Sequence, residues 1–315
     1  MKRFLAVLFL MVMLPYVTTL AWTGCLWGTE AEEISDREKE TEDNRRRVVI
    51  TERGGKRSRI SVEEFLIPAL AAVIPADFGP ETLKAQAILL RTGIYREMED
   101  SMEIMEEALD MDALSHSQME KLWGKEDFAR MYENLRAAVR DTEGMYAAYE
   151  GEPIEPFFCR AASGRTREGD EEHPYLISAE SGGDLLADNF LTVKIFTPRS
   201  MAGQINGIPG AVTVAPEQLP EEIQIAERDG AGYVRSIRIG RKTYSGTEVQ
   251  YALGLSSSCY SFEVLDGSIR VSCKGIGDGY GFSQAGAREY EKEGCGYRWL
   301  MGHYFQNVEI LYDKN

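Results

Sequence analysis

Histidine is scarce in this chain: 315 residues include only His116, His173 and His303. The five cysteines show no C-x-x-C spacing, and no histidine falls at a tight ligand spacing to a cysteine, which argues against a zinc site or any other metal centre. Positive charge is also in deficit, with 35 Lys and Arg against 51 Asp and Glu and a net charge of −16. That balance disfavours DNA, RNA or anionic lipid as the main partner. No internal repeat is visible. The glycine cluster near Gly275 misses the G-x-G-x-x-G spacing and is followed by no βαβ unit, so it is not a dinucleotide loop and no cofactor is expected.

What is present begins with Lys2 and Arg3 ahead of an apolar run from Phe4 to about Trp27, broken by Pro15, threonines and glycine. Two readings fit: a cleaved signal peptide, or an uncleaved anchor over residues 1–28. The length of the run and the missing A-x-A site favour the anchor. A lipoprotein site at Cys25 is a minor alternative, because Trp22 stands where leucine is wanted. The leading positive charges place the N-terminus in the cytoplasm and the rest outside. The expected location is therefore the cell membrane, single-pass, or secretion if the segment is cleaved. Residues 29–59, including EAEEISDREKETEDNRRR, are too charged and too poor in apolar residues to fold, and read as a flexible tether.

Residues 60–315 read as the folded domain, and 43% hydrophobic residues over the chain can supply a sizeable core. Pro80 fits the first position of a helix. Leu83, Ala87, Leu90 and Ile94 recur at helical spacing, with Lys84, Gln86 and Arg91 off that stripe. Ser115 with Gln118 forms a capping-box pattern for a second helix, whose later apolar face is Met131, Leu135 and Val139. After Asp141 the pattern alternates: a hairpin turns at Glu150-Gly151, and short strands are expected over 190–196, 211–214 and 233–239. A helix is expected over 247–255, and a hairpin around Asp266-Gly267. Helical sequence returns from Gln284 to Phe305. Early helices packed on later, mostly antiparallel strands predict an α+β fold. Buried, reduced cysteines are the favoured reading of Cys159, Cys259, Cys273 and Cys295, with a Cys259–Cys273 disulfide as the alternative.

Three stretches carry the chemistry. The first runs from Leu66 to Thr92, LIPALAAVIPADFGPETLKAQAILLRT. The second, Pro156 to Thr166, reads PFFCRAASGRT, with Pro174-Tyr175-Leu176 following. The third, Gly275 to Gln284, reads GIGDGYGFSQ. Together they resemble the SpoIID/LytB family, named for the stage II sporulation protein D. The resemblance covers about residues 60–312. It is supported further by the Thr142 to Gly151 hairpin, by Ser245-Gly246-Thr247-Glu248-Val249, and by His303-Tyr304-Phe305 in the closing helix.

The resemblance implies a cell-wall glycan enzyme, a lytic transglycosylase. Its glutamate, directly before the Met/Ile-Pro pair, protonates the glycosidic oxygen and then deprotonates the sugar's 6-hydroxyl. Here that position is Val73, and valine can do neither. Asp77 and Asp278 are the candidate replacement acids. Asp77 lies beside the start of the helix at Pro80, where the helix dipole favours its charged form. Asp278 replaces the family's histidine in the third stretch. Glu63 and Glu64 read as surface charges, and Cys159 has no sequence-adjacent histidine to make it a nucleophile. The resemblance also implies glycan contacts from Ser163, Arg165, Thr166, Ser283 and Gln284. The leading expectation is an extracytoplasmic protein that binds or acts on peptidoglycan glycan strands with impaired catalysis. The alternatives are residual turnover through Asp278 or Asp77, and an amidase-enhancer module docking onto another wall hydrolase.

Overall fold

A computed structural model describes residues 45–51 and 54–313. The apolar N-terminal segment and most of the tether, residues 1–44, lie outside the described residues; within them no helix is long and apolar enough to cross a membrane. Order begins earlier than the charge pattern suggests. Strands β1 (Arg47–Thr51) and β2 (Arg57–Ser61) occupy the end of the expected tether, because Val48 is fully buried and β1 pairs between β2 and β3 (Glu103–Met105).

The remainder is α+β. Helix α1 (Val62–Val73) starts at a capping box in which Ser61 accepts from the Glu64 backbone and Glu64 accepts from Ser61. Helix α2 (Pro80–Met98) begins on its proline, and α3 (His116–Asp141) begins on the Ser115–Gln118 box and kinks at Gly124. These helices enclose a first core around Phe65, Leu66, Leu70, Leu83, Ile94 and Leu135. The other face of α2 covers a second core with strand β4 (Met145–Tyr149), Phe282, Leu300, Tyr304 and Phe305. That strand pairs with the short β5 (Glu152–Pro153). Each fully buried Leu, Ile or Phe contributes about 1.5–3 kcal/mol. Because α2 is buried on both sides, Gln86, Arg91 and Thr92, which fall off the apolar stripe, are also fully enclosed.

A third core is built from the middle of the chain. One antiparallel sheet holds β7 (Leu191–Phe196), β12 (Ser268–Lys274) and β11 (Tyr260–Leu265); the other holds β8 (Ile223–Arg228), β9 (Val234–Ile239) and β10 (Lys242–Ser245). Helices α4 (Pro198–Asn206) and α5 (Gly246–Leu253) pack against them. Residues 211–214 do not form the expected strand: the Asn206 side chain donates to Val214 O at 3.1 Å and accepts from Val214 N at 2.9 Å, taking the bonds a ladder would use. A parallel two-stranded pair, β6 (Phe158–Cys159) with β13 (Phe282–Ser283), leads into α6 (Gln284–Lys292). Helix α7 (Tyr297–Tyr304) follows, and β14 (Val308–Tyr312) closes onto β4. All four described cysteines are free, so the disulfide alternative falls: Cys273 bonds Ser257 and Cys259 reaches Gly232 O.

Glu63 is not a surface charge. It takes a bidentate grip on the fully buried Arg91, from Nε at 2.8 Å and Nη2 at 2.5 Å. Arg91 also donates to Met145 O at 3.0 Å and Val139 O at 3.3 Å. Replacing Arg91 with leucine leaves Glu63 with only the Gly144 N–H at 3.2 Å and takes the guanidinium from Met145 O, while Val139 O keeps Thr142, and should lower stability by about 3–5 kcal/mol in urea unfolding. Arg91→Lys should recover only part of that loss, since an ammonium cannot reproduce the planar fork.

Candidate functional site

The three sequence stretches meet at Gln284. Its side-chain amide donates to Val73 O at 3.0 Å and to Gln86 Oε1 at 3.0 Å. The first stretch is thereby tied to the third, and the parallel β6–β13 pairing ties the second to both. The glycine run is needed for this closeness. Gly281 has φ +64, and a Cβ there would stand 2.2 Å from Phe157 O.

Val73 is half-buried and lines a cavity of about 460 Å³ with Leu90, Gly93, Met111, Pro156 and Phe158. The same cavity carries Glu97, Asp110, Asp112 and Glu155, none of which sequence reasoning singled out. Glu155 is held 3.2 Å from Arg96 and 3.2 Å from His173 Nε2, while His173 Nδ1 lies 2.8 Å from Asp170. Burial pulls the His173 pKa down, but hydrogen bonds and charge from Asp170 and Glu155 outweigh it, and the net shift is upward. His173 is therefore a partly buried, partnered group.

The two replacement acids sit elsewhere. Asp77 is exposed and lines a second cavity of about 230 Å³ with Phe78, Arg160, Asp188 and Arg288. Asp278 lies at the tip of the glycine loop, accepts from Tyr280 N at 3.1 Å, and lines neither cavity. Its side chain reaches solvent, yet the surrounding protein desolvates the carboxyl enough to raise its pKa, against the pull of the Tyr280 N–H and the Arg167 guanidinium. Cys159 is buried, and burial with the nearby charges of Asp184 and Asp278 pushes its thiol well up, so it remains protonated.

The expected glycan contacts divide. Ser163 and Arg165 stay half-exposed, bonded to Ala231 O at 2.8 Å and to Glu180 at 2.7 Å respectively. Thr166, Ser283 and Gln284 are sealed from solvent; the two hydroxyls and the Gln284 amide nitrogen are engaged within the protein, while the Gln284 side-chain oxygen has no hydrogen-bond partner. Their place is to position the backbone, not to touch a ligand directly. Ser283 donates at 2.5 Å to Asp184, a carboxylate with no exposed surface at the start of a 3-10 turn. Desolvation raises the Asp184 pKa to about 6, despite hydrogen bonds from Ser283, Ser181 and the backbone. Nothing in the local sequence marks this residue; only the fold buries it.

Helices first, antiparallel sheets later, and a glutamine clamp joining three distant stretches make up an α+β domain. The family model described as SpoIID, Stage II sporulation protein, matches residues 52–149. The stage II sporulation protein D of Bacillus amyloliquefaciens is 30% identical over 264 residues, covering 80% of this chain and 74% of that protein. That of Bacillus subtilis is 28% identical over the same shares. An uncharacterized protein of Brachyspira hyodysenteriae is 22% identical over 81% of this chain and 67% of its own length. The chain belongs to the stage II sporulation protein D family.

Asp184 makes the stability pH-dependent in a definite direction. A carboxyl whose folded pKa rises from the ordinary 3.8 to about 6 binds its proton more tightly in the native state. Its contribution is complete below about pH 4 and is lost as pH rises through 6, a change of roughly 3 kcal/mol. The stability of the wild type relative to Asp184→Asn should fall by that order between pH 4 and 7.5 in urea titrations. A difference independent of pH would show that Asp184 is not desolvated.

Proposed function

We propose that this protein engages peptidoglycan glycan strands outside the cytoplasm during sporulation or wall remodelling, and that it does so with impaired turnover. Family membership supports the wall-directed role. One observation carries the impairment: the residue in the place of the family's proton donor is Val73, a hydrocarbon side chain in the wall of the larger cavity. Asp77 opens into a different cavity, and Asp278 lines neither. A group that must protonate a glycosidic oxygen has to lie within hydrogen-bond reach of it.

A second reading has one observation in its favour. Asp278 has a raised pKa, the property a carboxylic general acid requires, so slow cleavage through Asp278 is the alternative.

Purified protein incubated with peptide-free glycan strands separates these readings. The wild type should release few anhydro-ended products, and Val73→Glu should raise their rate by about 10² or more. A wild-type rate matching that of Val73→Glu would overturn the impairment, and its loss in Asp278→Asn would establish the second reading. No gain from Val73→Glu would mean that the cavity has lost more than its acid.

A further inference from the structure

The two sheets of the third core have four outer strands, β7 and β11 of one and β8 and β10 of the other. An exposed strand edge invites pairing with another chain, and proteins ordinarily blunt it with charge, a bulge or shortness. Strand β8 carries Glu227 and Arg228 with irregular register at both; β10 has only four residues and includes Lys242; β11 carries Glu263. Strand β7, LTVKIF, has six residues, regular pairing, and no glycine, proline or acid. Its one charge is withdrawn, since Lys194 Nζ donates to Leu253 O and Gly254 O at the end of α5.

Backbone direction fixes what this edge offers. Gly275 N donates to Phe190 O at 2.8 Å, so these two residues, opposite one another just before the β7–β12 ladder, form a hydrogen-bonded antiparallel pair. By alternation, Thr192, Lys194 and Phe196 direct their N–H and C=O groups at β12, and Leu191, Val193 and Ile195 turn theirs outward. Among the described residues, nothing hydrogen-bonds those outward groups. The same three side chains stand on the solvent face, 58%, 43% and 68% exposed, so free backbone and aliphatic surface coincide. Their β12 neighbours on that face are Lys274, Ser272 and Arg270.

We propose that two copies of this chain associate through β7, joining their three-stranded sheets into one antiparallel sheet about a two-fold axis at Val193. What covers such an edge is an extended strand with aliphatic residues at alternate positions, and β7 itself is one. Pairing about Val193 sets Leu191 against Ile195 of the second copy, Val193 against Val193, and Ile195 against Leu191, so that every outward N–H meets an outward C=O. Lys194 then faces Thr192 of the second copy. An axis at Lys194 keeps the bonding pattern but sets two ammoniums opposite each other, which opposes that register. A slip of one residue matches outward groups with inward ones. The basic residues flanking the stripe, Lys274 of one copy and Arg270 of the other, stand three strand spacings apart, roughly 14 Å, beyond the screening length of about 8 Å at physiological salt. This association is independent of the glycan-binding reading.

Sedimentation equilibrium and hydrogen exchange on the full chain in detergent micelles, over a range of protein concentrations, test this. The amides of Leu191, Val193 and Ile195 should gain protection as the dimer forms. Val193→Lys, which brings two ammoniums together at the axis, should weaken association about tenfold or more and remove that protection. Val193→Cys should form a disulfide-linked dimer on mild oxidation, because opposed residues of a hydrogen-bonded pair lie about 5.5 Å apart at Cα; Ile195→Cys, which faces Leu191, should form far less. Circular dichroism of each variant checks that these exposed positions leave the fold intact. A monomeric wild type, or a dimer unaffected by Val193→Lys and so held by another part of the chain, overturns the proposal. Protection that does not depend on concentration assigns the edge to a segment of the same chain and overturns it equally, as does equal cross-linking at positions 193 and 195.

Discussion

A fully buried guanidinium organises this protein. Arg91 lies in the middle of α2 with no exposed surface, and its donors reach Glu63 on α1, the carbonyl of Val139 near the end of α3, and the carbonyl of Met145 at the start of β4. Burying such an ion pair adds little net stability compared with apolar packing, because desolvation opposes the attraction. What it fixes is geometry. The fork accepts few arrangements, so the helices cannot slide past one another without stranding a charge. Val73, the last residue of α1, is therefore set in place from ten residues away, and Gln284 then pins its carbonyl from the other side.

The acidity of the chain is put to structural use at helix ends. Gly79 has no side chain with which to cap α2; Glu291, on α6, instead accepts from the backbone of Glu81 at 2.9 Å and of Thr82 at 3.1 Å. Glu81 in turn accepts from the backbone of Tyr297 at the start of α7, at 2.8 Å. Carboxylates at helix N-termini satisfy unpaired N–H groups and the positive end of the dipole together. The glycine at 79 is required by this arrangement, since a Cβ there would stand 2.2 Å from the Glu291 carboxyl carbon. The wall of the smaller cavity is thus built on a carboxylate contributed from more than two hundred residues away.

This pattern explains which parts of the structure could be read from the sequence. The capping box at Ser115, the proline at α2's first turn, the Glu150-Gly151 hairpin and the Asp266-Gly267 hairpin depend on neighbours within a few residues, and all are present. The Glu81 contact could not be read locally because its partner Tyr297 is remote in sequence. Glu63, Gln86 and Arg91 looked peripheral because a helix buried on both faces has no polar face, a fact that periodicity within α2 alone cannot reveal. Strand β8 and helix α4 were missed, since neither carries a strong local pattern. At the site, the three stretches come together, yet the carboxylates lining the cavity with Val73 come from the end of α2, the loop before α3 and the loop between β5 and β6, outside those stretches.

Those carboxylates set the charge around the cavity that Val73 lines. A glutamate acting as general acid must hold its proton near neutrality, and neighbouring negative charges help it do so by opposing ionisation. Glu97, Asp110, Asp112 and Glu155 supply such a field around the cavity that Val73 lines, with Arg96 the opposing charge in that lining. The same field works against a carboxylate acting as a fixed anion there, and a hydrocarbon side chain avoids that repulsion. The cavity keeps its acidic lining and its aromatic wall at Phe158, and position 73 is held through a backbone carbonyl that any side chain there would leave in place.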